Sequence, residues 1–158
     1  MFVAAHEPIS HFYAPGHSAR ELDRLSRQAR MYEPFTRQLF REAGLLPGMR
    51  VLDVGCGSGD VALLASELVG PTGAVVGIDR ATAAIVHAQA RAESRRMSNV
   101  QFVEGDPTLI RLDDGFDAIV GRLILMYYPD PIDALRRLLA HLRPGGICCF
   151  SGIRREWL

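Results

Sequence analysis

Apolar positions along this chain change period several times, and the changes divide it into alternating elements. Leu22, Leu25, Ala29 and Tyr32 recur at helical spacing after a capping box at Ser18-Ala19-Arg20-Glu21, and the pattern stops at Pro34. A second helical stretch is expected over 35–43, ending at Gly44 before the Leu46-Pro47-Gly48 turn. Beyond this helical extension, residues 1–47, short apolar runs predict strands near 50–55, 74–79, 100–104, 116–121 and 147–151. Helical patterns lie between them at 60–68, 82–95 and 132–142. For the last of these, Asp130 supplies an N-cap and Pro131 a first-turn proline, and Pro144-Gly145-Gly146 then turns the chain into the final strand. Such alternation predicts a parallel sheet covered by helices on both faces, so residues 48–158 read as one α/β core.

The first strand runs into Gly55-Cys56-Gly57-Ser58-Gly59-Asp60, three alternate glycines before a helical pattern. Glycine is required where strand turns sharply into helix and where backbone must lie against a ligand, so the run points to a nucleotide-type cofactor. The helix that opens there turns free N–H groups and a positive dipole end toward that ligand. Glycine-rich turns are also often only structural, and G-x-G-x-G differs from the G-x-G-x-x-G of most dinucleotide sites. Asp79 strengthens the cofactor reading: it ends the second strand twenty residues past Gly59 and can accept hydrogen bonds from both hydroxyls of a ribose. Its alternative reading is a helix cap. Asp53, inside the first strand, needs a cationic partner if buried. Asp106, after the third strand, either accepts from an exocyclic adenine amine or caps the turn at Pro107.

Composition narrows the ligand. The 18 acidic and 18 basic residues balance, which removes the basic excess expected of a protein held on nucleic acid or an anionic membrane. Small-molecule chemistry is favoured. Every Lys/Arg position is arginine, which excludes lysine Schiff-base chemistry and a P-loop lysine. Cys56, Cys148 and Cys149 lack metal-ligand spacing and read as reduced packing residues, so no metal site is expected. The N-terminus has no basic region ahead of a signal-length apolar stretch, and the run 123–128 is far too short to span a bilayer; a cytoplasmic protein is expected.

Taken together, residues 51–60, 75–79, Gly105-Asp106, 116–120 and Leu142-Arg143-Pro144-Gly145-Gly146 resemble, in order and spacing, the motifs of class I S-adenosylmethionine-dependent methyltransferases. Residues 13–29, with Gly16-His17-Ser18, Glu21, Arg24-Leu25 and Gln28-Ala29, resemble the N-terminal helical segment of many small-molecule members. The resemblance implies a Rossmann-like doubly wound sheet of five parallel strands in the order 3-2-1-4-5. It also implies that Gly55, Gly57 and Gly59 lie under the methionine portion of S-adenosyl-L-methionine, with Asp53 at its ammonium group. Asp79, beside Arg80, would hold the ribose diol, Asp106 the adenine amine, and the backbone at Gly121 and Arg122 the amino-acid end. A cofactor with a sulfonium and an ammonium and no pyrophosphate suits a site rich in carboxylates and free of lysine, which sets it apart from NAD.

The reaction so implied is an in-line displacement of the sulfonium methyl by a nucleophile on a small-molecule acceptor, for which alignment and water exclusion supply much of the acceleration. A dedicated base is optional. His17, Tyr13, Tyr127 and Tyr128 are candidates, set against ordinary readings of His17 as a loop residue and the tyrosine pair as packing. The segment 121–126 lacks the Asn/Asp-Pro-Pro-Tyr pattern of amino-methyltransferases acting on nucleobases or glutamine amides, which disfavours that subclass. The family continues with a helix and two strands beyond the position of Trp157-Leu158. A bare fifth-strand edge through Ile147-Cys148-Cys149-Phe150 therefore carries a second reading, a truncated cofactor-binding or dimerisation module, with a homodimer formed through that edge.

Overall fold

The computed structural model describes residues 19–112 and 115–152, with side chains from Met31 onward; Tyr13, His17 and Ser18 lie outside the described residues. A helix α1, Ala19–Ala43, is followed by β1 (Arg50–Val54), α2 (Asp60–Val69), β2 (Ala74–Asp79), α3 (Thr82–Ser94) and β3 (Val100–Glu104). Then come β4 (Phe116–Arg122), a short 3-10 turn (Leu125–Tyr127), α4 (Pro131–Leu139) and β5 (Leu142–Ser151). The strands form one parallel sheet in the order β3-β2-β1-β4-β5, as the resemblance implied.

Alternation along the strands explains the two layers. Val51, Val75, Ala118 and Val120 face one side, where Phe40 of α1, Leu63 of α2 and Ala88 of α3 cover them. Leu52, Val54, Val76, Ile78 and Ile119 face the other, where Leu138 of α4 closes the layer with Phe116. Val51, Leu52 and Val54 are fully buried, as a central parallel strand requires.

Two expectations fail locally. The helices foreseen on either side of Pro34 are a single helix, because that proline lies inside α1. A proline removes one intrahelical donor, but the segment beyond it is held by packing, with Phe40 only 2% exposed. The hydroxyl of Thr36 donates to the Tyr32 carbonyl at 2.9 Å within the same turn. At the other end α4 stops at Leu139, and the Pro-Gly-Gly turn is a bulge inside β5: Phe116 pairs Leu142, whereas Ala118 already pairs Ile147. Leu142 packs against the second cluster, which draws it into the strand. The expected cap of α4 is present, since Asp130 accepts from the amides of Ile132 and Asp133 at 3.0 and 2.9 Å. Among the described residues no helix is long and apolar enough to cross a membrane, and no cluster of potential metal ligands occurs.

Candidate functional site

The order β2-β1-β4 places a topological switch point between β1 and β4, where open α/β sheets bind ligands beyond the carboxyl ends of their strands. The glycine loop lies there. Gly55, Gly57 and Gly59 all adopt left-handed backbone, with φ of 66°, 51° and 82°. At Gly59 a Cβ would stand 2.9 Å from the Phe102 ring and 3.0 Å from the Ala88 Cβ, so close packing of loop on β3 and α3 excludes a side chain. At Gly57 the same Cβ would meet nothing within 4 Å. The backbone there borders open space.

Long-range bonds hold the loop. The Gly57 amide donates to Asp79 Oδ2 at 2.9 Å, and Cys56 N donates to the Ile78 carbonyl at 2.9 Å. From α3, Arg91 donates to the Ser58 carbonyl at 2.6 Å and pairs with Asp60 at 2.7 Å. Asp79, 3% exposed, also accepts from Ala81 N at 2.9 Å, so it orders both the loop and the turn into α3. Each of its oxygens keeps a further lone pair.

Asp53 is 1% exposed, and its Oδ2 has no hydrogen-bond partner. Burial pushes its carboxyl well above the usual range, against the opposing charge of Arg122 and an amide bond from Ala62, while Asp79 adds to the rise. A buried carboxylate oxygen without a partner is costly, and a cation is the partner that would relieve it. Asp106 is differently placed. It accepts from the Thr108 amide and hydroxyl at 2.9 and 2.8 Å and pairs with Arg80. Burial alone would raise its carboxyl, but the two Thr108 bonds and the Arg80 charge outweigh it and hold it below the ordinary value. Its turn-capping role is therefore present in the folded chain. Tyr128 lies with its ring 5.8 Å from the Arg80 guanidinium, and burial, aided by the Asp106 charge, pushes its phenol up to about 12. It stays protonated near neutral pH. Tyr127 is half exposed on the 3-10 turn.

Gly121 is closed in by Phe150 and Ile124, where a Cβ would come within 2.6 and 2.9 Å. Arg122 follows at the end of β4, and Leu123 after it has a φ of 58°, an uncommon conformation for a bulky residue that is fixed by its amide bond to the Ser151 carbonyl at 2.7 Å. Two grooves meet at Arg122. An apolar one lies between Tyr32, Phe35 and Leu39 of α1 and Leu123, and a polar one is walled by Glu33, Asp60, Glu67, Arg91 and Arg95.

This arrangement, a switch-point glycine loop with acids at the ends of β1 and β2, accompanies a direct family match: the family described as a methyltransferase domain matches residues 45–158. The chain belongs to that family. It is 32% identical over 107 residues to a demethylmenaquinone methyltransferase of Lactococcus lactis subsp. lactis (strain IL1403), covering 67% of this chain and 42% of the relative. With the demethylmenaquinone methyltransferase of Staphylococcus aureus (strain JH9) it shares 31% identity over 132 residues, 82% of this chain and 54% of the relative. The chain thus spans about half the length of these relatives. Among solved structures, a SAM dependent methyltransferase from Aquifex aeolicus superimposes with a TM-score of 0.71 at 26% identity, covering 80% of this chain and 68% of that one.

Several residues that shape the site of this methyltransferase domain escaped sequence reasoning. Arg91, Phe102, Ala88 and Ile124 each reach the glycine loop from another element. No local pattern signals them, because each contact joins elements far apart in the sequence. The cysteines divide: Cys56 and Cys149 are buried as expected of packing residues, but Cys148 is exposed. Burial, then the charges of Asp53 and Asp79, push the Cys56 thiol far up, so it stays protonated despite its place in the loop.

Proposed function

We propose that this methyltransferase domain binds S-adenosylmethionine over the glycine loop, across the carboxyl ends of β1, β2 and β4, and passes its methyl group to a small-molecule acceptor. The observations that carry the reading are the buried, unpartnered Oδ2 of Asp53 in the strand that leads into the loop and the open space at the Gly57 backbone. A ligand bearing an ammonium fits the first and a close-lying ligand the second. Asp53 would take the ammonium, Asp79 the ribose hydroxyls and Asp106, beside Arg80, the adenine amine, each through lone pairs its present partners leave free. The cofactor brings an activated methyl on sulfur; the domain contributes alignment and exclusion of water. Relatives named for demethylmenaquinone support a small-molecule acceptor, and the apolar groove between α1 and Leu123 suits an apolar one.

Calorimetric titration of the chain with S-adenosylmethionine and with NAD tests the reading. Micromolar-range binding of the first, with none comparable for the second, is expected, and Asp79→Ala should abolish it because both the ribose contact and the Gly57 amide bond are lost. Binding of NAD with S-adenosylmethionine ignored overturns the proposal.

A further inference from the structure

A basic residue in the last turn of a helix ordinarily answers the negative end of that helix's dipole. Arg91 stands in the last turn of α3, yet its guanidinium crosses to the loop before α2. There it donates through Nη1 to the Ser58 carbonyl at 2.6 Å and through Nη2 to Asp60 Oδ1 at 2.7 Å. The Arg91 and Asp60 side chains are only 21% and 20% exposed, so the contact is largely shielded from water, unlike a surface ion pair.

The glycine loop has two limbs, held from different elements. Its first limb is tied to β2, since Cys56 N donates to the Ile78 carbonyl and Gly57 N to Asp79 Oδ2, each at 2.9 Å. In the second limb the peptide between Ser58 and Gly59 donates within the loop, from Gly59 N to the Cys56 carbonyl at 2.9 Å, and Arg91 holds its carbonyl end. Ser58 lies between Gly57 and Gly59, two left-handed glycines whose backbone is free to turn that peptide. The start of α2 adds no restraint of its own, because Gly59 caps it without a side chain. Among the described residues, no side chain other than Arg91 bonds the Ser58–Gly59 peptide.

We propose that Arg91 is a positioning residue: by fixing the Ser58–Gly59 peptide from α3, it holds the second limb of the loop in the arrangement that receives the methionine portion of the cofactor. This rests on the S-adenosylmethionine reading and extends it to a residue that does not itself touch the ligand. Arginine suits the task because its planar fork meets two acceptors at once, whereas the single charged nitrogen of lysine cannot reproduce that geometry. Without the clamp the limb populates other arrangements, and apparent affinity falls in proportion to the fraction of molecules still competent. The contacts made once the ligand is bound are the same, so the loss falls on association rather than on dissociation.

Arg91→Gln, Arg91→Lys and Asp60→Asn are compared with the wild type in two measurements. In the ligand-free chain, Arg91→Gln should speed hydrogen exchange at the Gly59 amide by at least about tenfold, while the Cys56 and Gly57 amides, tied to β2, stay within about threefold. Binding is then followed with S-adenosylmethionine and with 5′-methylthioadenosine, which lacks the amino-acid end. Arg91→Gln should weaken the first by about tenfold, through slower association with dissociation within about twofold of wild type, and leave the second unchanged. Arg91→Lys should recover part of the loss. Asp60→Asn keeps an oxygen for the guanidinium and should stay within about threefold of wild type. Unchanged exchange at Gly59 overturns the inference and leaves the cofactor reading standing. Equal loss of both ligands in Arg91→Gln also overturns it, assigning Arg91 to the stability of the fold, as does a loss carried by faster dissociation, which places Arg91 against the ligand. A loss in Asp60→Asn as large as that in Arg91→Gln moves the role from the Ser58 carbonyl to the ion pair and overturns it too. Failure of a folded wild-type chain to bind either ligand removes the cofactor reading itself, and the role of Arg91 with it.

Discussion

Asp53 is costly to the folded chain whenever no cation sits beside it. Burial raises its carboxyl above the ordinary value, so folding favours the protonated form. The stability linked to that proton is whole below the unfolded-state pKa and is lost as pH rises through the folded-state one. Near neutral pH the residue is therefore a burden in the empty protein. Asp53→Asn keeps an acceptor for the Ala62 amide and removes the charge; it should raise the thermal midpoint at neutral pH, by about 2–4 °C per kcal/mol in a chain of this size, with the gain vanishing in acid. The same substitution should cost cofactor affinity at neutral pH. Wild-type affinity should climb with pH over the interval in which Asp53 loses its proton, with proton release visible as a dependence of the binding heat on buffer. A midpoint lowered by Asp53→Asn, or a pH-independent affinity in the wild type, would show that Asp53 is an ordinary core acid. The residue type was legible in the sequence, since a carboxylate inside an apolar strand demands a partner. That its Oδ2 stays without a bond could not be read there, because it depends on which groups the fold brings to that face of the sheet.

At the scale of elements, the glycine loop separates two demands that look identical in the motif. Gly59 is pressed against Phe102 and Ala88, whereas Gly57 faces open space. Gly59→Ala should therefore cost stability through both backbone and overpacking, about 2–5 kcal/mol together. Gly57→Ala should cost only the backbone part, about 1–2 kcal/mol, yet lose most cofactor binding because its methyl enters the ligand's side of the loop. Denaturant midpoints and calorimetry on the two variants test this; equal destabilisation, or full binding by Gly57→Ala, would contradict it. Strands, glycine loop and the Asp130-Pro131 cap were legible because each rests on local chemistry. What misled was punctuation. Pro34 reads as a helix stop, but Phe40 and Leu39 beyond it pack on the core and carry α1 through. Pro144-Gly145-Gly146 reads as a turn, but Leu142 is held against the sheet by the second cluster, and the strand closes around the glycines as a bulge.

For the whole molecule the two sheet edges are unequal. β3 is short, and its exposed Gln101 and Glu104 make that edge a poor template for another strand. β5 is ten residues long, and among the described residues no strand pairs with its outer side. Its Ile147 and Phe150 pack against the two core clusters, so the stretch beyond the bulge is firmly seated on β4. An unpaired edge strand is a template on which another strand can pair. We therefore expect this chain by itself to self-associate through β5, with sedimentation velocity showing a dimer that gives way to monomer on dilution. Cys148 is the place to intervene, because it is exposed and a lysine there leaves both clusters untouched. Cys148→Lys should move the equilibrium toward monomer without lowering the thermal midpoint of the monomer, and the comparison is made with the thiols kept reduced so that no disulfide mimics the contact. A wild-type chain that stays monomeric over the whole concentration range would show that the bulge at Gly145 and the twist of β5 already protect the edge. Loss of the dimer on reduction alone would assign the association to the exposed thiol rather than to strand pairing.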